Sequence, residues 1–193
     1  MKFDELNRLQ RFFSKMKIPQ EDKDKRVSLG LLLYDAFFYV FSMMKMEIKV
    51  EGEIDHDYYV RLLDGRIKDA LENVPYDEEY ITKLTEDVID TTERHLDDEY
   101  YFSQERALLA AQNESNSVYN NIDYINALSE GKMFKRWVTE EDDKVRPEHE
   151  DVDMMIIPIE EYFPVGGDML MYPHDYHASP QNIINCRCTC EYL

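Results

Sequence analysis

Hydrophobic positions recur at three- and four-residue steps through the first half of the chain. Between residues 3 and 16 those steps fall on Phe3, Leu6, Leu9, Phe12, Phe13 and Met16, with Arg8, Arg11 and Lys15 between them. The pattern predicts an amphipathic helix with a basic polar face. Such a helix can dock on its own domain or act as an arm toward a partner or a membrane surface. Pro19 to Arg26 is dominated by charge and predicts the end of that helix and an exposed linker. Leu29 to Met46 is the most apolar run, broken by Asp35, Ser42 and Lys45. Its uninterrupted pieces fall short of the roughly 20 residues a bilayer demands, so no membrane span is expected. A buried helix is expected instead, with Tyr34, Phe37, Phe38 and Phe41 as its aromatic spine. Met46 to Ile54 then alternates apolar and polar residues, the period of a half-exposed strand.

The helical period returns from Asp57 to about Gly131. Tyr58, Leu62, Leu63, Ile67 and Leu71 make one stripe; after Pro75, Tyr80, Leu84, Val88, Ile89 and Leu96 make the next. Acidic residues fill the opposite faces, Asp97-Asp98-Glu99 reads as solvated surface, and His56 and His95, isolated on such acidic faces, read as ordinary solvated residues. A third helical region from Ser103 to Ser129 shows a small-residue face at Ala107, Leu108, Ala110 and Ala111. After Gly131 come short β-branched or aromatic runs at 134–139, 154–159 and 183–190, separated by turn residues at Gly166-Gly167, Pro173 and Ser179-Pro180. The expected class is α+β: a helical N-terminal body followed by a small module of short strands and irregular loops. The expected divisions are a basic amphipathic helix and linker at 1–27, a helical body at 28–131 with one short strand near 46–54, and the C-terminal module at 132–193.

At 193 residues the chain has the length of one domain with an arm, enough to bury roughly 70% of its unfolded surface without disulfides or metal. Charge changes the picture more. Lys and Arg number 22 against 41 Asp and Glu, a net −19. The first 30 residues hold eight basic and five acidic side chains, a net +3, which leaves −22 on the remainder. The charge argues against a general phosphate-binding surface, because that binding is driven by basic side chains displacing counterions. No apolar segment with a small-residue cleavage site opens the chain, so retention in the reducing cytosol of the producing cell is expected. Three cysteines, Cys186, Cys188 and Cys190, sit at alternate positions, a poor disulfide framework.

The chemistry-bearing residues gather in the last 60 positions: Trp137, Asp142, Arg146, His149 and Asp153, then Pro173, Asp175, Asn185, Cys186, Arg187 and Cys188. Arg146 and His149 are three apart, so a helical turn would set them side by side with Asp142 a turn before. Acid, guanidinium and imidazole could serve catalysis or clamp an irregular loop, since Arg offers a rigid fork to a carboxylate. His149, Cys186, Cys188 and Cys190 are zinc-ligand types, with His174 and His177 in the intervening loop, and His149, Cys186 and Cys188 are the candidate set. Cys-x-Cys on a strand instead suits buried small apolar groups, whereas zinc sites more often use Cys-x2-Cys. A redox pair is a third possibility. No phosphate-binding glycine loop, dinucleotide fingerprint or His-Glu-x-x-His occurs.

The ordered series resembles the C-terminal domain of the phage minor head proteins, the Mu F-like head morphogenesis family. The residues that carry it are Trp137, Asp142-x3-Arg146-x2-His149, Asp153, Pro158, Phe163, Pro173-x-Asp175 and the closing Asn185-Cys-Arg-Cys188, with Arg106-Ala107 and Ala111-x2-Glu114 upstream. Two family glycines are replaced, by Met154 and His174; both belong to turns that want positive φ, which a side chain would reshape. The resemblance covers roughly residues 103–193 and implies no established enzymatic activity. It implies a virion or procapsid component assembled in the host bacterial cytoplasm. Its partners would be the portal protein or capsid subunits, with packaged DNA engaged at most indirectly, and it would assist head assembly, DNA packaging or delivery. Two other functions fit the residues alone: a metal-dependent or Cys/His enzyme using His149 and Cys186, and an acidic decoy for the basic groove of a DNA-binding protein.

Overall fold

The computed structural model describes residues 2–193, with side chains from Asp4 onward, so the side chain of Phe3 lies outside the described residues. In chain order the elements are α1 (Lys2–Phe13), α2 (Gln20–Glu51), α3 (His56–Ala70), α4 (Glu78–Glu93), a 3₁₀ turn (Glu99–Phe102), α5 (Gln104–Ser129), β1 (Phe134–Val138), α6 (Pro147–Glu150), β2 (Ile156–Pro158), β3 (Phe163–Val165), β4 (Asp168–Leu170), α7 (Pro180–Ile183) and β5 (Thr189–Tyr192). Helices come first and short antiparallel strands last, an α+β fold. Two compact units divide the chain: Ser28–Gln112, and the residues up to Val27 together with Asn113–Leu193.

The Ser28–Gln112 unit is helical. Leu33, Phe37, Phe41 and Met44 of α2, Tyr59, Leu63 and Ile67 of α3, and Ile81 and Ile89 of α4 are buried to 1% exposure or less. α2 is long and apolar enough to cross a bilayer, yet 56% of its most apolar window is buried inside the protein. Aspartates start the later elements: Asp55, Asp77 and Asp98 accept from the backbone N–H of Tyr58, Glu79 and Tyr100, satisfying donors that the first turn leaves open. The strand expected near 46–54 is absent. α2 runs on to Glu51, and Gly52, at φ +83°, closes it with its N–H on the Ile48 carbonyl. The alternation predicts a half-exposed strand, but Met46 and Val50 are exposed at 65% and 80%. They are the solvent side of a helix already anchored by its buried spine, and a left-handed glycine ends it. His56 and His95 are not simply solvated. His56 Nδ1 lies 2.9 Å from Glu93 Oε2, and His95 stacks on Tyr101 with ring centroids 4.1 Å apart.

In the other unit, α1 buries Leu9 and Phe13, and Met16 follows just past its end. The Lys17 N–H donates to Glu140 Oε1 at 3.0 Å, so the N-terminal segment folds with the C-terminal module. The linker expected at 19–26 is instead the start of α2. Pro19 accepts from the N–H groups of Asp22 and Lys23, Glu21 and Asp22 occupy the first turn, and Lys25 pairs with both. A proline just outside a helix and acids in its first turn are starting signals, and the opposite charges are spaced as neighbours on one face. Arg26 is fully buried.

The module's sheet has the order β2-β1-β5, with β3 and β4 forming a separate hairpin. Trp137 pairs with Cys190 across β1 and β5. Its indole is fully buried among Val152, Phe163, Val165, Leu170, Cys186 and Cys188, meeting the Phe163 ring edge-on at 5.2 Å. Gly166 sits in the β3–β4 turn at φ +56°, where a Cβ would stand 2.5 Å from the Asn182 amide; only glycine fits. Met154 and His174 occupy φ +60° and +64°. The turns that glycine would favour are therefore kept rather than reshaped, with the cost carried by the backbone.

Candidate functional site

The loop from Glu140 to Arg146 and the short α6 lie against the segment that leads into β5. Asp142 does not pair with Arg146. Its two oxygens accept a fork from Arg187, Nη1 to Oδ2 at 2.8 Å and Nη2 to Oδ1 at 2.7 Å. Asp142 Oδ1 also accepts from the Lys144 N–H at 3.1 Å. The Arg187 fork, aided by the Lys144 N–H, holds the Asp142 carboxyl down at about 2 and raises Arg187 in turn. Arg146 precedes α6 and donates to the Ile184 carbonyl. The expected Asp–Arg–His turn is thus split into two tethers reaching the same C-terminal segment. Asp153 accepts from the Thr139 N–H at 2.8 Å, and Asp175 shapes its loop by accepting from Met171 and His177 N–H groups at 2.9 and 3.1 Å.

His149 projects from α6 into the core, 1% exposed, edge-on to Trp137. Its Nδ1 stands 3.5 Å from the sulfurs of both Cys186 and Cys188. Within the thiol pair Cys186 is the stronger acid. Its thiolate is favoured by the Cys188 thiol and then by His149 and His174, whereas Cys188 is pushed up by the Cys186 sulfur and by burial. Cys190, outside this cluster, is pushed up to about 12 by burial. The cluster borders a small, open cleft that Glu140, Arg146 and Asn185 also line. As an acyl-transfer site it lacks a part. His149 Nε2 is buried without a hydrogen-bond partner, whereas a general base is normally oriented through its second nitrogen.

The sequence reading missed the groups that hold this segment from the α5 side. Asn113 Oδ1 accepts from the Asn185 N–H at 2.9 Å, Ser117 Oγ donates to the His174 carbonyl at 2.8 Å, and Asn120 Nδ2 donates to the Pro173 carbonyl at 2.8 Å. Arg26 completes the ladder, donating to Asn116 Oδ1, Asn120 Oδ1 and Asp123 Oδ2 at 3.1, 3.0 and 2.9 Å. The signal was available. Asn113, Asn116, Ser117 and Asn120 recur at three- and four-residue steps, the period of one helix face, in residues of poor helix propensity. Lys135 was also missed. It is fully buried, donates to the Met171 carbonyl at 2.6 Å, and burial brings its amine down to about 8.

A helical body, a Trp-centred strand module, and an Asp–Arg tether beside a buried Cys–His cluster define an α+β protein whose specific residues fasten loops to a core. The sequence matches the family described as Phage Mu protein F like protein over residues 66–191, and the chain belongs to that family. It is a phage head morphogenesis protein. The match reaches upstream of residue 103, through α4 and α5, so the polar α5 ladder and the module it holds lie within one family region. Comparison with curated proteins and with solved structures returns no match.

Proposed function

We propose that the protein is a structural minor component of the phage head that sits at the portal vertex and assists head assembly and DNA packaging or delivery. The observation that carries this reading is the family match over residues 66–191. The architecture of that region supports it. Asp142, Arg146, Asp153 and Asp175 all end on backbone or side-chain partners within the fold, which is how polar groups serve a rigid module. The net charge of −19 suits life beside packaged DNA without adhering to it, since like charges repel and no basic surface displaces counterions. Its partners are other head proteins, the portal or capsid subunits, and it is assembled in the bacterial cytoplasm as part of the procapsid.

Quantitative mass spectrometry of purified heads tests this. A few copies per particle, lost from heads that lack the portal protein, is the expected result. Absence from both procapsids and virions would overturn it.

A further inference from the structure

We propose that His149 Nδ1, Cys186 Sγ and Cys188 Sγ form a zinc site that fastens α6 to the segment entering β5. The geometry is that of a ligand set around an ion. A tetrahedral zinc with bonds of about 2.3 Å to sulfur and 2.05 Å to nitrogen sets sulfur and nitrogen about 3.5 Å apart. The imidazole nitrogen stands 3.5 Å from each of the two sulfurs, and the three ligand atoms lie within 4.8 Å of one another. Without an ion a single Nδ1 faces two sulfurs and can make at most one linear hydrogen bond to them, as donor or acceptor. All three side chains are buried to between 1% and 4% exposure, where soft sulfur ligands and an imidazole select zinc over the hard cations.

The local fold presents these atoms from two directions. Pro147 starts α6 and turns His149 inward. Cys186 and Cys188 alternate along an extended segment, so both sulfurs leave the same side of the backbone. Asn185 enters that segment at φ +59°, its N–H fixed by Asn113, and the Asp142–Arg187 fork spans the same two segments. His149, Cys186 and Cys188 line one open cleft with Glu140, Arg146 and Asn185, from which a fourth ligand would enter. Cys190 is outside the set, and the surface cluster of His56, Asp90 and Glu93 contains no sulfur.

Cobalt substituted for zinc distinguishes these sites, because only thiolate ligands give a sulfur-to-cobalt charge-transfer band. The full chain, purified reduced and without chelator, is expected to carry one zinc per molecule and, after exchange, to show that band. Cys190→Ser retains it, and Cys186→Ser with Cys188→Ser abolishes it. His149→Cys, which adds a thiolate to the same set and keeps the ion, strengthens it by about one half. Failure of the reduced, folded wild-type chain to bind zinc stoichiometrically, or a band that survives loss of both cysteines, would overturn the assignment.

Discussion

Met154 and His174 adopt the same left-handed backbone for different local returns. Met154 is 53% exposed at φ +60°, and its N–H donates to the Trp137 carbonyl at 2.9 Å. That bond needs the backbone conformation and not the side chain. His174 is 2% exposed and donates from Nε2 to the Cys186 carbonyl at 2.6 Å, so its side chain fixes the cysteine segment from behind. Opposite outcomes follow for one kind of change. Met154→Gly is expected to raise stability by about 1 kcal/mol, the strain of a non-glycine left-handed residue less the added chain entropy. His174→Gly is expected to lower it by about 2 kcal/mol, because a buried hydrogen bond and a buried ring are lost together. Urea midpoints of the two variants against the parent give the comparison, and equal signs would refute the distinction.

Among the elements, the Asp142–Arg187 fork joins the loop before α6 to the segment before β5, and its worth depends on pH in a defined direction. The Asp142 carboxyl is held at about 2 in the fold, below the roughly 3.9 of an unfolded aspartate. A depressed carboxyl adds stability that is fully present above about pH 4 and lost as pH falls toward 2. Asp142 retains 28% side-chain exposure, so screening reduces the pair to about 1–2 kcal/mol. Asp142→Asn should therefore cost that much at pH 7 and only a small part of it at pH 2, where the carboxyl is half protonated, read as converging unfolding free energies. A gap undiminished at pH 2 would mean the carboxylate charge is not the source. This fork also shows where sequence reasoning stopped. Asp142, Arg187, His149 and the cysteines were legible as chemistry, and the Trp137 core as a hydrophobic run. Which acid meets which base was not, because a partner 45 residues away leaves no local period. Elements failed for a related reason: Met46 to Ile54 carries a genuine strand period, and only the buried face of α2 behind it decides that the helix continues. Asn113, Asn116, Ser117 and Asn120 carried a helical period in polar residues, which a search tuned to apolar stripes passes over.

For the whole molecule the dominant quantity is the net charge of −19. Two effects compete as salt is added. Screening relieves repulsion among the carboxylates that dominate the helical faces, which stabilises the folded chain; it also weakens the exposed ion pairs, such as Lys25 with Glu21 and Lys68 with Glu78. Exposed pairs contribute little individually, and the most enclosed pairings, Arg26 with Asp123 and Arg187 with Asp142, are screened least. Repulsion is spread over 41 acidic side chains against 22 basic ones, so it should win. Raising ionic strength from about 0.01 to 0.15 M shortens the screening length from about 30 to 8 Å, and the melting temperature should rise by about 2–4 °C for each kcal/mol of repulsion removed. The same imbalance predicts no retained complex with duplex DNA at the higher salt. A melting temperature that falls with salt would mean attractive pairing outweighs self-repulsion. The acidic surface would then be an internally neutralised shell rather than a self-repelling field.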